Sequence, residues 1–208
     1  MKKQYTLSLL IVLSMLMSHQ LAAQSARAGI KGGLNFSNLY LEDVGNENAR
    51  VGYNLGIYSQ VMLGDALALQ PELIFNTKGA RAEYDVLGFT GENRFNLSYL
   101  ELPMLLVFKV GEAIDIHAGP YFGLLLRANV ESEGDFGEGR EQLDSDNFKN
   151  MDYGLSAGFA INFGPLTGGV RYNYGLQKLA NNEAAEFFLG DSKNSMAQIY
   201  VAIDLLGN

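Results

Sequence analysis

The sequence predicts an all-β fold, an eight-stranded antiparallel up-and-down transmembrane β-barrel. Three observations carry that expectation. Apolar residues recur at every second position over eight segments, the period of a strand and not of a helix. The connections between those segments alternate between long and short. After residue 23 no stretch reaches the roughly 20 apolar residues of a membrane helix; the most apolar run, "LPMLLVF", contains Pro103 and is followed by Lys109.

The chain opens with Lys2 and Lys3, an 11-residue apolar run (Leu7–Met17) and small residues around Ala23. That composition is expected of a cleavable export signal. The domain reading is therefore a signal peptide at 1–23 and a barrel domain at 24–208. The predicted strands cover 28–38, 51–63, 65–78, 95–110, 112–128, 151–164, 165–177 and 194–206. In the first, Ile30, Leu34 and Phe36 oppose Lys31, Gly33 and Asn35; in the second, Tyr53, Leu55 and Ile57 oppose Asn54, Gly56 and Tyr58. The third sets Leu69, Leu73 and Phe75 against Gln70, Glu72 and Lys78, and the fourth sets Leu100, Leu106 and Phe108 against Tyr99, Glu101 and Lys109. The fifth sets Ile116, Phe122 and Leu124 against Asp115, His117 and Arg127. The sixth sets Leu155, Phe159 and Ile161 against Asp152 and Ser156, and the last sets Ile199, Val201 and Ile203 against Gln198, Tyr200 and Asp204. The seventh, "LTGGVRYNYGL", places Val170, Tyr172 and Tyr174 opposite Gly169, Arg171 and Asn173.

The connections run long (39–50), short (64–65), long (79–94), short (111–112), long (129–150), short (164–165) and long (178–193). Up-and-down membrane barrels sort their loops by end in this way, with tight periplasmic turns and longer outward loops. Only a closed sheet pairs every backbone N–H and C=O of strands in lipid.

With apolar faces turned to lipid, the interior collects an ion network of five cations and five anions: Lys31, Lys78, Lys109, Arg127 and Arg171 with Glu72, Glu101, Asp115, Asp152 and Asp204. An isolated buried charge costs several kcal/mol, so a narrow interior demands this balance. Arg171 is expected to pair with Glu72, Glu101 or Asp152. Aromatic residues near strand ends, among them Tyr53, Tyr99, Tyr153 and Tyr174, suit interfacial girdles. Removing Lys2 and Lys3 takes the net charge from −8 to −10, and so acidic a chain with no basic patch argues against nucleic acid as a partner. There is no Cys, so nothing is gained from disulfides in an oxidising compartment.

Several stretches resemble a known family: "GIKGGLNFSNL", "LQPELIFNTKGA", "YLELPMLLVFKV", "HAGPYFGLLL", "DYGLSAGFAINFG" and "VRYNYGLQKL". They look like successive strands of the porin-like outer-membrane β-barrel proteins of Bacteroidota, the PorT-like group. The resemblance covers nearly all the chain after the signal. It implies the cell outer membrane as the location, the lipid bilayer and the barrel-insertion machinery as partners, and extracellular or secretion-apparatus partners at the loops.

No enzyme is expected. His117 shares a face with Asp115, and Ser98 or Ser156 could supply a hydroxyl, but no nucleophile motif surrounds either serine. No cofactor or metal set is legible, with one histidine after the signal and no cysteine. Loop 129–150 holds seven acidic and two basic residues, a solvated outward loop whose carboxylates do not follow EF-hand spacing. The expected function is that of a monomeric structural or interaction protein with acidic outward loops and a largely plugged lumen. Two alternatives are a small pore for solutes or ions, and a soluble lipocalin-like barrel whose apolar faces turn inward around a ligand.

Overall fold

The computed structural model describes residues 26–40, 48–86, 89–134, 139–142, 150–178 and 193–207. The expected signal peptide lies outside them. Among the described residues there are nine strands: β1 (Ala26–Tyr40), β2 (Asn48–Met62), β3 (Leu67–Val86), β4 (Phe89–Val110), β5 (Ile114–Gly134), the short β6 (Gly139–Gln142), β7 (Met151–Phe163), β8 (Leu166–Lys178) and β9 (Lys193–Leu206). Eight of them close an antiparallel ring in the order β1-β2-β3-β4-β5-β7-β8-β9, with β9 pairing back onto β1 and β6 attached to β5 outside the ring. Closure leaves no sheet edge in lipid.

The alternation of the sequence becomes an inside and an outside. Outward residues form an apolar belt, with Leu55 61 % and Ile199 55 % exposed, joined by Phe108, Phe122, Phe159 and Tyr172. Inward positions bury Lys31, Glu72, Lys78, Glu101, Asp152 and Arg171. A water-soluble barrel built this way would leave a large greasy surface bare; in a bilayer the same surface is solvated. The lipocalin-like alternative required the reverse arrangement and falls on this observation.

Short turns close one end. Gly111 and Gly164 take φ values of +66° and +62° there, a backbone region open to glycine. At the other end three strands outgrow the sequence expectation. β3, β4 and β5 run for 20, 22 and 21 residues, against 13 to 15 for β1, β2, β7, β8 and β9. The connection expected at 79–94 is therefore mostly paired strand: Ala80 stands opposite Phe95 and Val86 opposite Phe89. The base of the expected loop 129–150 is also strand, since β5 continues to Gly134 and Asn129–Ser132 pair with β6. A strand advances about 3.4 Å per residue, so the extra seven or so residues raise a sheet of β3 to β6 roughly 20 Å beyond the barrel.

Three ladders are interrupted in mid-barrel. The β2–β3 register skips Ser59 and Gln60 opposite Gln70 and Pro71. The β3–β4 register skips Glu72 and Leu73 opposite Leu102 and Pro103, and β4–β5 skips Met104 and Leu105 opposite Gly119 and Pro120. Each gap holds a proline, which has no N–H to donate. Each of these prolines is registered with the strand that follows, so every gap opens toward the preceding strand.

Candidate functional site: the charged interior

The interior is built in floors, each reached because inward positions on facing strands converge in a narrow ring. At the short-turn end, Arg27 bonds Gln60 at 2.5 Å and Asp204 at 3.3 Å, and lies 3.8 Å from Asp115. Lys109 donates to Asp115 at 3.0 Å, and the Tyr58 hydroxyl donates to Asp204. Arg27, Tyr58, Gln60, Asp115 and Asp204 line a cavity of about 20 Å³, with room for a water molecule or two.

Above it stands the central clamp. Arg171 donates from Nη1 and Nη2 to the two oxygens of Glu72 at 2.7 and 2.8 Å, the bidentate geometry a planar guanidinium favours. β8 and β3 are four places apart in the ring of eight, so this pair joins opposite walls. Lys31 adds a bond to Glu72 at 3.2 Å while its ammonium lies 3.6 Å from the centre of the Tyr200 ring. Gln70 donates to Glu72 at 2.7 Å, and Arg171 Nε donates to His117 Nε2 at 3.2 Å. That last bond requires an unprotonated Nε2, so His117 serves as an acceptor. Room for the cluster comes from missing side chains: a Cβ on Gly169 would lie 2.5 Å from the Tyr200 ring, and one on Gly158 2.8 Å from His117 Nε2.

A layer of amides follows, in which Gln198 donates to Asn35 and Asn76 at 3.0 Å each and Asn54 donates to Asn35 at 2.7 Å. Asn76 then donates to Glu101 at 2.5 Å. Near the outer end Lys78 bridges Glu101 and Asp152, the latter at 3.0 Å. Asn194 and Tyr121 also donate to Asp152, at 3.0 and 3.3 Å.

Nine of the ten charged residues read from the sequence sit on inward positions of these floors: Lys31, Glu72, Lys78, Glu101, Lys109, Asp115, Asp152, Arg171 and Asp204. Arg127 does not. The β4–β5 register shifts between Ser98 and Tyr99, leaving Leu126 as an extra residue, so alternation inverts and Arg127 turns outward and exposed. Arg27, one residue ahead of the predicted first strand, supplies an interior cation that the sequence reading missed. Its signal was there, two residues before inward Gly29 and four before Lys31. Arg50 adds another at the outer end, donating to the Lys78 carbonyl at 3.2 Å. Tyr99 is fully buried beside Lys78 and belongs to the interior instead of a girdle.

The hydrolase constellation does not assemble. Asp115 pairs with Lys109, His117 accepts from Arg171, and Ser156 donates to Asn173 at 2.7 Å. Among the described residues no group of three or more His, Asp or Glu is arranged to hold a metal ion.

Several solved structures are similar to this chain. The Yersinia pestis attachment invasion locus protein Ail, solved with the heparin analogue sucrose octasulfate, is similar at 14 % identity, covering 87 % of this chain and 99 % of its own, with a TM-score of 0.49. Neisserial surface protein A aligns at 13 % identity over 87 % of this chain and 97 % of its own, TM-score 0.45. The N-terminal barrel of Pseudomonas aeruginosa OprF aligns at 16 % identity over 88 % and 98 %, TM-score 0.35. No curated protein matches the sequence. Residues 22–181 match the family described as outer membrane protein beta-barrel domain, and this chain, a closed eight-stranded barrel of the outer membrane, belongs to that family.

Proposed function

We propose that the protein is a monomeric, non-enzymatic outer-membrane barrel that carries little or no solute, and that it works in a structural or interaction role through the sheet it raises outside. Export by the 1–23 signal and insertion by the barrel machinery belong to this reading. So do the narrower kinship with PorT-like proteins of Bacteroidota and extracellular or secretion-apparatus partners.

The observation that carries it is the Arg171–Glu72 clamp between opposite strands. A permeating solute would have to part a buried bidentate pair, and removing one partner of such a pair typically costs about 3–5 kcal/mol. Lys78 with Glu101 and Asp152 sets a second bar further out. What remains for partners is the sheet of β3 to β6, whose composition is rich in acidic residues. Beyond Arg81 the described register gives β3 no neighbour on its β2 side.

Single-channel recording of the refolded protein in a planar bilayer, with Arg171→Ala alongside, tests the closed interior. The expected record is a silent wild type that is folded and heat-modifiable. Reproducible conductance steps in the wild type, altered by Arg171→Ala, would make the protein a small pore.

A further inference from the structure

The cavity at the short-turn end reaches beyond the polar floor that rims it. Its walls continue up to Lys31, His117 and Tyr200 of the central clamp. Ala160 and Ala202, both buried, present only methyl groups to it and so leave it room.

The acceptors around this space are already engaged. Asp204 accepts from Arg27 and Tyr58, Asp115 from Lys109, and Gln60 Oε1 from Arg27. Gln60 in turn donates to Gln70 at 2.8 Å, and Gln70 donates to Glu72. The donors are a different matter. Asn162, on the cavity wall, accepts from Thr167 through Oδ1 at 2.8 Å, while its Nδ2 is buried without a partner. His117 accepts from Arg171 through Nε2, so its proton sits on Nδ1, which donates to no group among the described residues. Buried donors left over in this way require an acceptor.

Charge leans in the same direction. The lower two floors hold the cations Arg27, Lys31, Lys109 and Arg171 against the anions Glu72, Asp115 and Asp204. One positive charge is in excess, and it falls on Lys31. That ammonium is 3 % exposed and has Glu72 as its anion, but both Glu72 oxygens are also held by Arg171. The amide layer separates these floors from Glu101 and Asp152, whose charges face Lys78 with Arg50 close by. Asp65 and Glu112 are exposed in the short turns, where water screens them. An under-compensated buried ammonium is costly unless a counter-ion reaches it.

We infer that the cavity is a binding site for one small monovalent anion, a halide such as chloride, which enters from the short-turn end. A volume of about 20 Å³ admits a single atomic ion and shuts out phosphate, sulfate and carboxylic acids of any size. Lys31 supplies the charge, and Asn162 Nδ2 and His117 Nδ1 supply hydrogen bonds. Water would satisfy the donors and leave the excess charge standing. A metal cation would add to that excess, and the two carboxylates nearby are already spent on Arg27 and Lys109. The ion stops below the Arg171–Glu72 clamp, so the site exists whether or not the interior conducts.

The test uses the refolded full chain in neutral detergent, with ionic strength held constant while sodium chloride replaces sodium gluconate. Gluconate is too large for the cavity. The urea-unfolding midpoint should rise with chloride along a saturable one-site curve, and bromide should substitute for chloride. The chloride nuclear magnetic resonance line should broaden on adding folded protein and sharpen again when bromide competes. A hydrogen bond to a charged group is typically worth about tenfold or more in affinity, so Lys31→Met and Asn162→Ala should each weaken chloride binding by at least that factor. Should Lys31→Met lose heat-modifiable mobility, Asn162→Ala, which lies outside the clamp, decides alone. Equal midpoints and linewidths in chloride and gluconate overturn the inference, as does an undiminished chloride response in folded Asn162→Ala. A midpoint that follows exchange of sodium for tetramethylammonium, and not exchange of the anion, would make this a cation site and overturns it too.

Discussion

Two walls of the barrel solve the same problem differently. From β5 through β7, β8 and β9 to β1 and β2 the ladders run without a gap through the mid-membrane, on strands of 13 to 15 residues apart from β5. From β2 to β5 each ladder has a gap in mid-membrane, marked by Pro71, Pro103 and Pro120. The β2–β3 and β4–β5 ladders shift register again farther out, between Ala49 and Asn54 and between Ser98 and Tyr99. The broken wall is also the tall one, carrying the sheet above the membrane. Hydrogen bonding alone would make it the weaker side, because a missing ladder bond in lipid cannot be replaced by water. It is held from across the interior instead: Glu72, beside the first two breaks, is gripped by Arg171 and Lys31 from the continuous side. Backbone pairing stabilises one wall, and side-chain charge ties the other to it.

The largest expected effect comes from cutting that tie. Glu72→Gln leaves Arg171 and Lys31 side by side without their anion, and Arg171→Leu leaves Glu72 with Lys31 alone. Each should lower stability by about 3–5 kcal/mol, read as a lower urea-unfolding midpoint of the refolded protein. An unmoved midpoint would mean that the walls hold independently.

A smaller effect is expected within the continuous wall. Gly169→Ala drives a Cβ to 2.5 Å from the Tyr200 ring and 3.0 Å from Ala160, so the ring that flanks Lys31 must shift. A loss of about 1–3 kcal/mol is expected, typical of overpacking, and urea titration would show it. No change would mean that Tyr200 moves freely.

The smallest effect in stability is diagnostic for the broken wall. Pro71→Ala restores a donor worth about 1 kcal/mol but loosens the unfolded chain by a similar amount. The midpoint should therefore stay within about 1 kcal/mol. Amide exchange should register the repair: in the parent, amides flanking the three gaps exchange faster than those of β7 to β9, and the substitution slows those near Ser59 and Gln60. Uniform exchange around the parent barrel would remove the distinction between the walls.

Much of this was legible in the sequence, for identifiable reasons. Lipid on one side and packed charge on the other enforce alternation, so strands within the membrane declare themselves, and Lys31, Glu72 and Arg171 could be placed inside from parity alone. Parity fails where a residue is inserted. In Leu124-Leu125-Leu126 three leucines in a row hide the bulge that turns Arg127 out. "ARAEYDV" and "FTGENRF" carry no apolar alternation, so they read as loop although they pair residue for residue. Which carboxylate meets Arg171 depends on stagger around the ring, a property of the closed sheet that no local pattern encodes.

The inward charges also guard against error during assembly. Sliding one strand past its neighbour by a single residue exchanges its two faces. On β3 such a slip would carry Glu72 and Lys78 into the acyl chains and bring Leu73 and Phe75 into the core. A misplaced lysine or arginine near the bilayer midplane costs about 2–4 kcal/mol, before counting the partners it abandons. The network thus works as a proofreading device, penalising each wrong alignment as the strands come together and leaving one alignment in which every strand can rest.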